Sequence, residues 1–147
     1  MRHSDRDVYH SSKGYRIEIP GPQWLWVDES PADLELRHRT APAAMAAGAV
    51  CATSTTRRPS RALARQLLIG LRERTVIEHG ETEVAGRPAV RAVVDARLEG
   101  SEDRVRIETF VLKDDRCVYD FMYAASAAAF AELRPDFVRF AESFERE

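Results

Sequence analysis

The feature that most constrains the fold is a run of three long strand patterns between residues 89 and 124. The segments AVRAVVDARLE (89–99), VRIETFVLK (105–113) and RCVYDFMYA (116–124) are separated only by short polar turns, which predicts an antiparallel meander. The last two segments look apolar on both faces, with one set at Phe110, Leu112, Val118 and Met122 and an opposite set at Val111, Cys117, Tyr119, Phe121 and Tyr123. Strands that are apolar on both faces are normally covered on both faces.

The segment 126–144 predicts a helix with a single aromatic stripe. Its apolar positions recur at alternating steps of three and four residues, at Phe130, Leu133, Phe137, Phe140 and Phe144. A stripe of this kind is typical of a core, so we expect the four phenylalanines to be buried. Pro135 should either kink this helix or begin a second one as its first-turn residue.

Before the meander, the chain alternates between strand patterns and turns. Prolines in PGP (20–22) end the first strand pattern because proline cannot donate to a ladder, and Trp24 and Trp26 then share one face of a short extended piece. The small-residue run 43–52 is interpreted as a loop that feeds a strand. The predicted strands of this half are 15–19, 34–39 and 48–55.

A helix is predicted after Pro59, with Ser60 as its N-cap and Gly80 after its end. Its apolar stripe is Leu63, Leu67, Leu68 and Leu71. The order of elements predicts an α+β fold, a mainly antiparallel sheet with helices on both faces. Residues 1–13 are expected to be a flexible polar tail, and residues 14–147 a single α/β/α sandwich domain.

The 147 residues carry a net charge of −2, which gives no general attraction to nucleic acid or to an anionic membrane. Cys51 and Cys117 match no CxxC or zinc spacing. Each lies in a predicted strand, where a buried thiol behaves as a small hydrophobe, so we expect both to be unpaired. A disulfide is the alternative, since spacing cannot decide geometry.

The motifs of catalysis and cofactor binding are absent from the sequence, which has no GxSxG, P-loop, GxGxxG or HExxH. The histidines are scattered, at His3, His10, His38 and His79. Cys117 has no neighbouring base or helix start that would lower its pKa. We therefore expect no enzyme activity, no cofactor and no metal site.

Two features are candidates for a partner-binding surface. Arg57, Arg58, Arg61 and Arg65 crowd the start of the predicted middle helix, where the helix dipole favours anions. The first three are candidates for contact with an acidic partner, and a solvated arginine-rich face is the alternative. Trp26 is a candidate interface anchor, with simple burial as its alternative.

Several segments, in this order, resemble the PsbP/Mog-like family of α/β/α sandwiches. They are GYRIEIPGPQW (14–24), GRPA (86–89), CVYDFMYA (117–124) and ESF (142–144). The resemblance implies that Trp24 packs structurally and is buried. Family members include a subunit that docks on photosystem II, a Ran-binding protein, bacterial envelope lipoproteins and chaperones of secreted effectors. They share no set of functional residues, so none is carried over to this chain.

The resemblance implies a non-enzymatic protein-interaction module, a subunit or accessory lipoprotein of a bacterial envelope or secretion assembly. The N-terminus has no apolar signal region, so this reading expects a removed leader, a place on the periplasmic face, and membrane contact only through a removed lipid anchor. One alternative is a cytoplasmic chaperone or adaptor that binds apolar helices of a secreted partner. Another is a small-molecule binder with a helix-grip cavity. The partner protein and the oligomeric state are left open.

Overall fold

The computed structural model describes residues 7–51, 71–98, 100 and 102–147. Along the chain these residues form strands β1 to β9, then helix α1, then strand β10. The bounds are β1 Val8–Ser11, β2 Tyr15–Glu18, β3 Trp24–Trp26, β4 Leu34–His38, β5 Ala43–Cys51, β6 Leu71–Val84, β7 Arg87–Leu98, β8 Arg104–Lys113, β9 Cys117–Ser126, α1 Phe130–Glu142 and β10 Glu145–Arg146.

Seven strands form one antiparallel sheet in the order β3-β4-β5-β9-β8-β7-β6, and β1, β2 and β10 form a small second sheet. Helix α1 and the small sheet lie against the same face of the large sheet, which we call the inner face. The ring of Phe137 on α1 lies 5.2 Å from that of Tyr123 on β9. The ring of Tyr15 on β2 lies 5.7 Å from that of Tyr119. The opposite face is called the outer face.

The core lies between the inner face, α1 and the small sheet. Strand β9 alternates strictly, and its inward residues are all buried: Cys117, Tyr119, Phe121, Tyr123 and Ala125. The four phenylalanines of the C-terminal stripe meet these rings and are at most 7% exposed, which confirms the prediction for Phe130, Phe137, Phe140 and Phe144. Pro135 lies inside a single helix.

The register between β8 and β9 corrects the expected composition of the two faces. Phe110 pairs with Phe121 and Leu112 pairs with Tyr119, so Phe110 and Leu112 belong to the inner face. Directly opposite residues of an antiparallel pair share a face. The outer face still carries apolar residues on these strands, at Val111, Val118 and Met122.

The prediction of helices on both faces of the sheet is wrong. In the described residues α1 is the one helix, and it shares the inner face with three short strands. Residues 60–70 of the predicted middle helix lie outside the described residues. Its expected continuation toward Gly80 is strand β6 instead, because pairing with β7 organises this segment.

The expected flexible tail is also partly wrong. Val8–Ser11 is strand β1, which pairs in register with β2 from Val8 opposite Glu18 to Ser11 opposite Tyr15. Gly14 has a positive φ of 90° in the intervening turn, where a glycine is favoured. The segment is therefore ordered by its hairpin with β2.

The prediction of two unpaired cysteines is wrong as well. Cys51 and Cys117 lie directly opposite each other on β5 and β9, and their sulfur atoms are bonded at 2.02 Å. They are separated by 66 positions in the sequence. The strand register, which sequence spacing does not contain, is what brings them together.

Candidate interaction surfaces

The structure separates the two tryptophans that follow the PGP turn. Trp24 is buried, as the resemblance implied, and its Nε1 donates a hydrogen bond to Asp136 Oδ2 on α1 at 2.9 Å. Trp26 is 49% exposed on the same strand. The other predicted binding residues, Arg57, Arg58 and Arg61, lie outside the described residues, so that cluster stays a prediction.

Trp26 is exposed but held in place by another ring. The Tyr9 ring on β1 packs edge-on against it at 5.5 Å, and Tyr9 in turn packs against the buried Tyr15 at 6.2 Å. The neighbouring Leu25 is 50% exposed and points to the outer face, because it pairs with Arg37. Trp26 and Leu25 are thus exposed on opposite faces of the same strand.

Strand β3 is also a sheet edge, and β4 is the one strand that pairs with it in the described part of the chain. Its ladder bonds to β4 are made from the neighbouring positions, with Val27 N–H donating to the carbonyl of Glu35 and Arg39 N–H to that of Gln23. The N–H and C=O of Trp26 therefore point away from the sheet. We call Leu25, Trp26 and Tyr9 the Trp26 edge.

A second surface is a groove along β5 and β9 on the outer face. Three cavities of about 840, 280 and 290 Å³ share lining residues there. Loop 30–33 forms a wall beside the two smaller cavities. The floor is formed by alternate positions of the two strands: Ala44, Ala46, Gly48, Met122 and Ala124.

Asp120 is the charged residue in the floor of this groove, in the middle of β9. Burial raises its pKa to about 6, with a further contribution from the nearby Asp33 and an opposing one from Lys13. No side chain or backbone group of the described residues donates a hydrogen bond to its carboxylate. Asp120 was not among the predicted site residues, although an acid inside the apolar segment CVYDFMYA was a visible signal.

The space beneath the C-terminal helix is filled, whereas the helix-grip alternative expected a cavity there. Phe137 and Phe140 are fully buried, and the Phe137 ring also stacks on Phe110 at 5.4 Å.

Within the described ranges, no three His, Cys, Asp or Glu side chains are grouped as metal ligands. No helix of that part of the chain is long and apolar enough to cross a membrane.

Comparison with solved structures identifies the fold. The cyanobacterial PsbP protein of Synechocystis sp. PCC 6803 matches with a TM-score of 0.64 at 14% identity, over 95% of this chain and 91% of that one. LpqN, involved in cell envelope biogenesis of Mycobacterium tuberculosis, matches with a TM-score of 0.63 at 16% identity, over 95% and 91%. A Bacteroides thetaiotaomicron protein matches with a TM-score of 0.68 at 6% identity, over 96% of this chain and 48% of that one.

The sequence matches no protein-family model and no curated protein. The solved structures nevertheless agree with the resemblance read from the sequence, and the chain has a PsbP-like fold. At these identities the likeness defines the fold.

Proposed function

We propose that this PsbP-like chain is a non-enzymatic protein-interaction module of the bacterial cell envelope, facing the periplasm. The observation that carries the proposal is the Trp26 edge, where Trp26 and Leu25 are each about half exposed. Tryptophan anchors dominate binding energy in many interfaces. Because the Tyr9 ring already packs against Trp26, the Trp26 side chain would lose little conformational entropy when a partner binds.

The disulfide supports the envelope part of this proposal. A bond between Cys51 and Cys117 persists in oxidising compartments such as the periplasm and is rare in the bacterial cytosol. LpqN, which shares the fold, is a protein of cell envelope biogenesis. Both points favour the envelope over the cytoplasmic alternative.

Photo-crosslinking tests the proposal in the source cell. Benzoylphenylalanine would replace Trp26 in one variant and Val90 in a matched control, since Val90 is 41% exposed on β7, away from the Trp26 edge. We expect position 26 to capture a discrete protein in the envelope fraction and position 90 to capture none. Equal labelling at both positions, or none at position 26, would contradict the proposal.

The arginine cluster is proposed as an additional contact for an acidic partner. If Arg57, Arg58 and Arg61 face acidic side chains, replacing all three by Ala should slow association and weaken its salt dependence. The measurement is the association rate of the captured partner at two salt concentrations. An unchanged rate would leave the cluster as a solvated surface.

A second candidate function is a chaperone or adaptor that holds an apolar helix. The observation that favours it is the outer-face groove, whose floor of small side chains allows close approach of another backbone. A labelled leucine–alanine peptide of about 20 residues tests it. We expect Ala46→Arg to block binding and Val90→Arg to leave it unchanged, and absence of binding to the wild type would exclude this function.

A further inference from the structure

Asp120 is a carboxylate placed where it is poorly solvated and has no protein donor. It lies opposite Gly48 across the β5–β9 ladder, and a methyl group added at Gly48 would stand 3.3 Å from Asp120 Oδ1. The glycine therefore leaves open the space beside the carboxylate. Asp120 is partly buried, and polar side chains that lose much of their contact with water in this way usually gain a hydrogen-bond partner, so this arrangement requires an explanation.

The groups nearest to Asp120 are already engaged with one another. Lys13 Nζ donates to Asp33 Oδ1 at 2.7 Å and to the carbonyl of Ala49 at 2.6 Å. Tyr15 donates its hydroxyl proton to Asp33 Oδ2 at 2.8 Å. Lys13 is therefore hydrogen-bonded to Asp33 and not to Asp120, and its attraction is the smallest of the effects on the Asp120 pKa.

The surrounding cavity defines what could neutralise the charge of Asp120. It has a volume of about 290 Å³, and its walls combine apolar side chains, among them Pro31, Val50 and Met122, with the paired charges of Lys13 and Asp33. A divalent cation such as calcium prefers six to eight oxygen ligands, and one uncommitted carboxylate does not supply them. An organic cation with an aliphatic chain matches both the single charge and the apolar walls.

We propose that the cavity beside Asp120 binds one ammonium or guanidinium group carried on an aliphatic chain. A charge-assisted hydrogen bond to Asp120 would hold the cation, and Met122 and Pro31 would contact the chain. Two sources share this chemistry, a lysine or arginine side chain of a partner protein and a free alkylamine. The site is separate from the Trp26 edge and does not depend on it.

The test is a titration of the isotope-labelled protein followed by NMR. The probes are hexylammonium, hexanol as its uncharged analogue, and the peptide acetyl-Ala-Ala-Lys-Ala-Ala-amide with a norleucine counterpart. We expect hexylammonium or the lysine peptide to shift the signals of Gly48 and Asp120, and the uncharged analogues to leave them in place. The tighter of the two charged probes identifies the source of the cation.

Variants decide whether Asp120 is responsible. Asp120→Asn removes the charge but keeps the size, and we expect it to weaken binding of the charged probe about tenfold. Gly48→Ala should weaken it too, and Asp28→Asn, a charge change in an exposed turn, should have no effect. Equal shifts with charged and uncharged probes, or unchanged binding by Asp120→Asn, would overturn the inference.

Discussion

Glu108 and Asp120 are acidic side chains on neighbouring strands, and they differ in their partners. Glu108 is fully buried on the inner face, where Arg134 donates two hydrogen bonds to it at 2.7 and 2.8 Å and Arg91 one at 2.6 Å. Asp120 lies on the outer face and receives none from the described residues. Glu108 therefore links α1 to the sheet, whereas Asp120 is stabilised by no such contact.

Glu108→Gln should destabilise the protein by about 3 to 5 kcal/mol, because it leaves two arginines around a neutral group. Burial alone would raise the pKa of Glu108, but the hydrogen bonds from Arg134 and Arg91 outweigh it and lower the pKa. The ionised form is thus favoured by folding, and its contribution is lost as the pH falls below about 4.5. Urea unfolding at pH 7 and pH 4 measures both effects.

The matched control is Asp95→Asn on the same face. Asp95 pairs with Arg106 at 2.7 Å, but the two side chains are 31% and 39% exposed. An exposed pair of this kind contributes about 1 kcal/mol or less. Equal losses in the two variants would contradict the role assigned to the burial of Glu108.

Asp120→Asn should have the opposite effect on stability. Because burial and then Asp33 raise the pKa of Asp120 to about 6, against the attraction of Lys13, ionisation costs stability as the pH rises from 4 through 6. The variant should therefore be more stable than the wild type at pH 7.5 by about 1 to 2 kcal/mol, with no difference near pH 4. Thermal melts across this pH range check it, with Asp28→Asn expected to behave as the wild type.

The sequence contains only part of this information at the residue scale. An acid within CVYDFMYA is visible as an exception to the apolar pattern. The glycine beside it and the cavity around it depend on the pairing of β5 with β9, between residues 72 positions apart. Likewise, the pattern placed Trp24 and Trp26 on one face, but the hydrogen bond from Trp24 to Asp136 joins residues 112 positions apart.

At the scale of elements, β5 and β6 are two of the strands that sequence patterns described poorly. In β5 (Ala43–Cys51), small residues hide the alternation, so its first half was predicted to be a loop. In β6 (Leu71–Val84), residues 74–83 are all exposed along a sheet edge and show no apolar face. Pairing with neighbours decides strand formation in both cases, which propensity alone does not predict.

The disulfide joins β5 to β9, and its removal should be costly. A cross-link that closes a segment of 66 positions is expected to contribute about 4 kcal/mol, mainly by restricting the unfolded chain. Replacing Cys51 and Cys117 by Ser should lower the free energy of unfolding by about that amount, as should reducing the wild type. Two free thiols in unreduced, unfolded protein would contradict the bond.

The β6–β7 hairpin has a two-residue turn that can be improved. Ala85 and Gly86 both have positive φ, 53° and 75°, and only the second is a glycine. Ala85→Asn should stabilise the protein by about 0.5 to 1 kcal/mol, since Asn-Gly is favoured in this turn. Ala85→Val is the matched control and should destabilise it, because a β-branched residue is strained at positive φ. Urea unfolding distinguishes the two, and equal stabilities would contradict the turn geometry.

At the scale of the whole molecule, the aromatic stripe and the meander determine the PsbP-like fold. Both were predicted from the sequence, because Phe137 and Phe140 recur at helical spacing and the meander strands are joined by short turns. The face of the sheet against which the helix packs could not be predicted from the sequence. Apolar residues on the outer face suggested a second covering helix, whereas in the described structure the same face carries a groove.

The large sheet leaves two different surfaces for contact with other molecules. The Trp26 edge offers a packed ring beside backbone groups that have no strand partner in the described part of the chain. The groove offers small side chains and one carboxylate, Asp120. We propose that the first of these surfaces contacts the partner protein.

The affinity of the partner captured through position 26 tests this account most directly. It would be measured for the wild type, for Trp26→Ala and for Trp24→Phe, together with the melting temperature of each. We predict that Trp26→Ala loses about 2 kcal/mol or more of binding while its melting temperature is kept, and that Trp24→Phe melts earlier but binds as the wild type does. A Trp26→Ala variant that binds with unchanged affinity would contradict the proposed function.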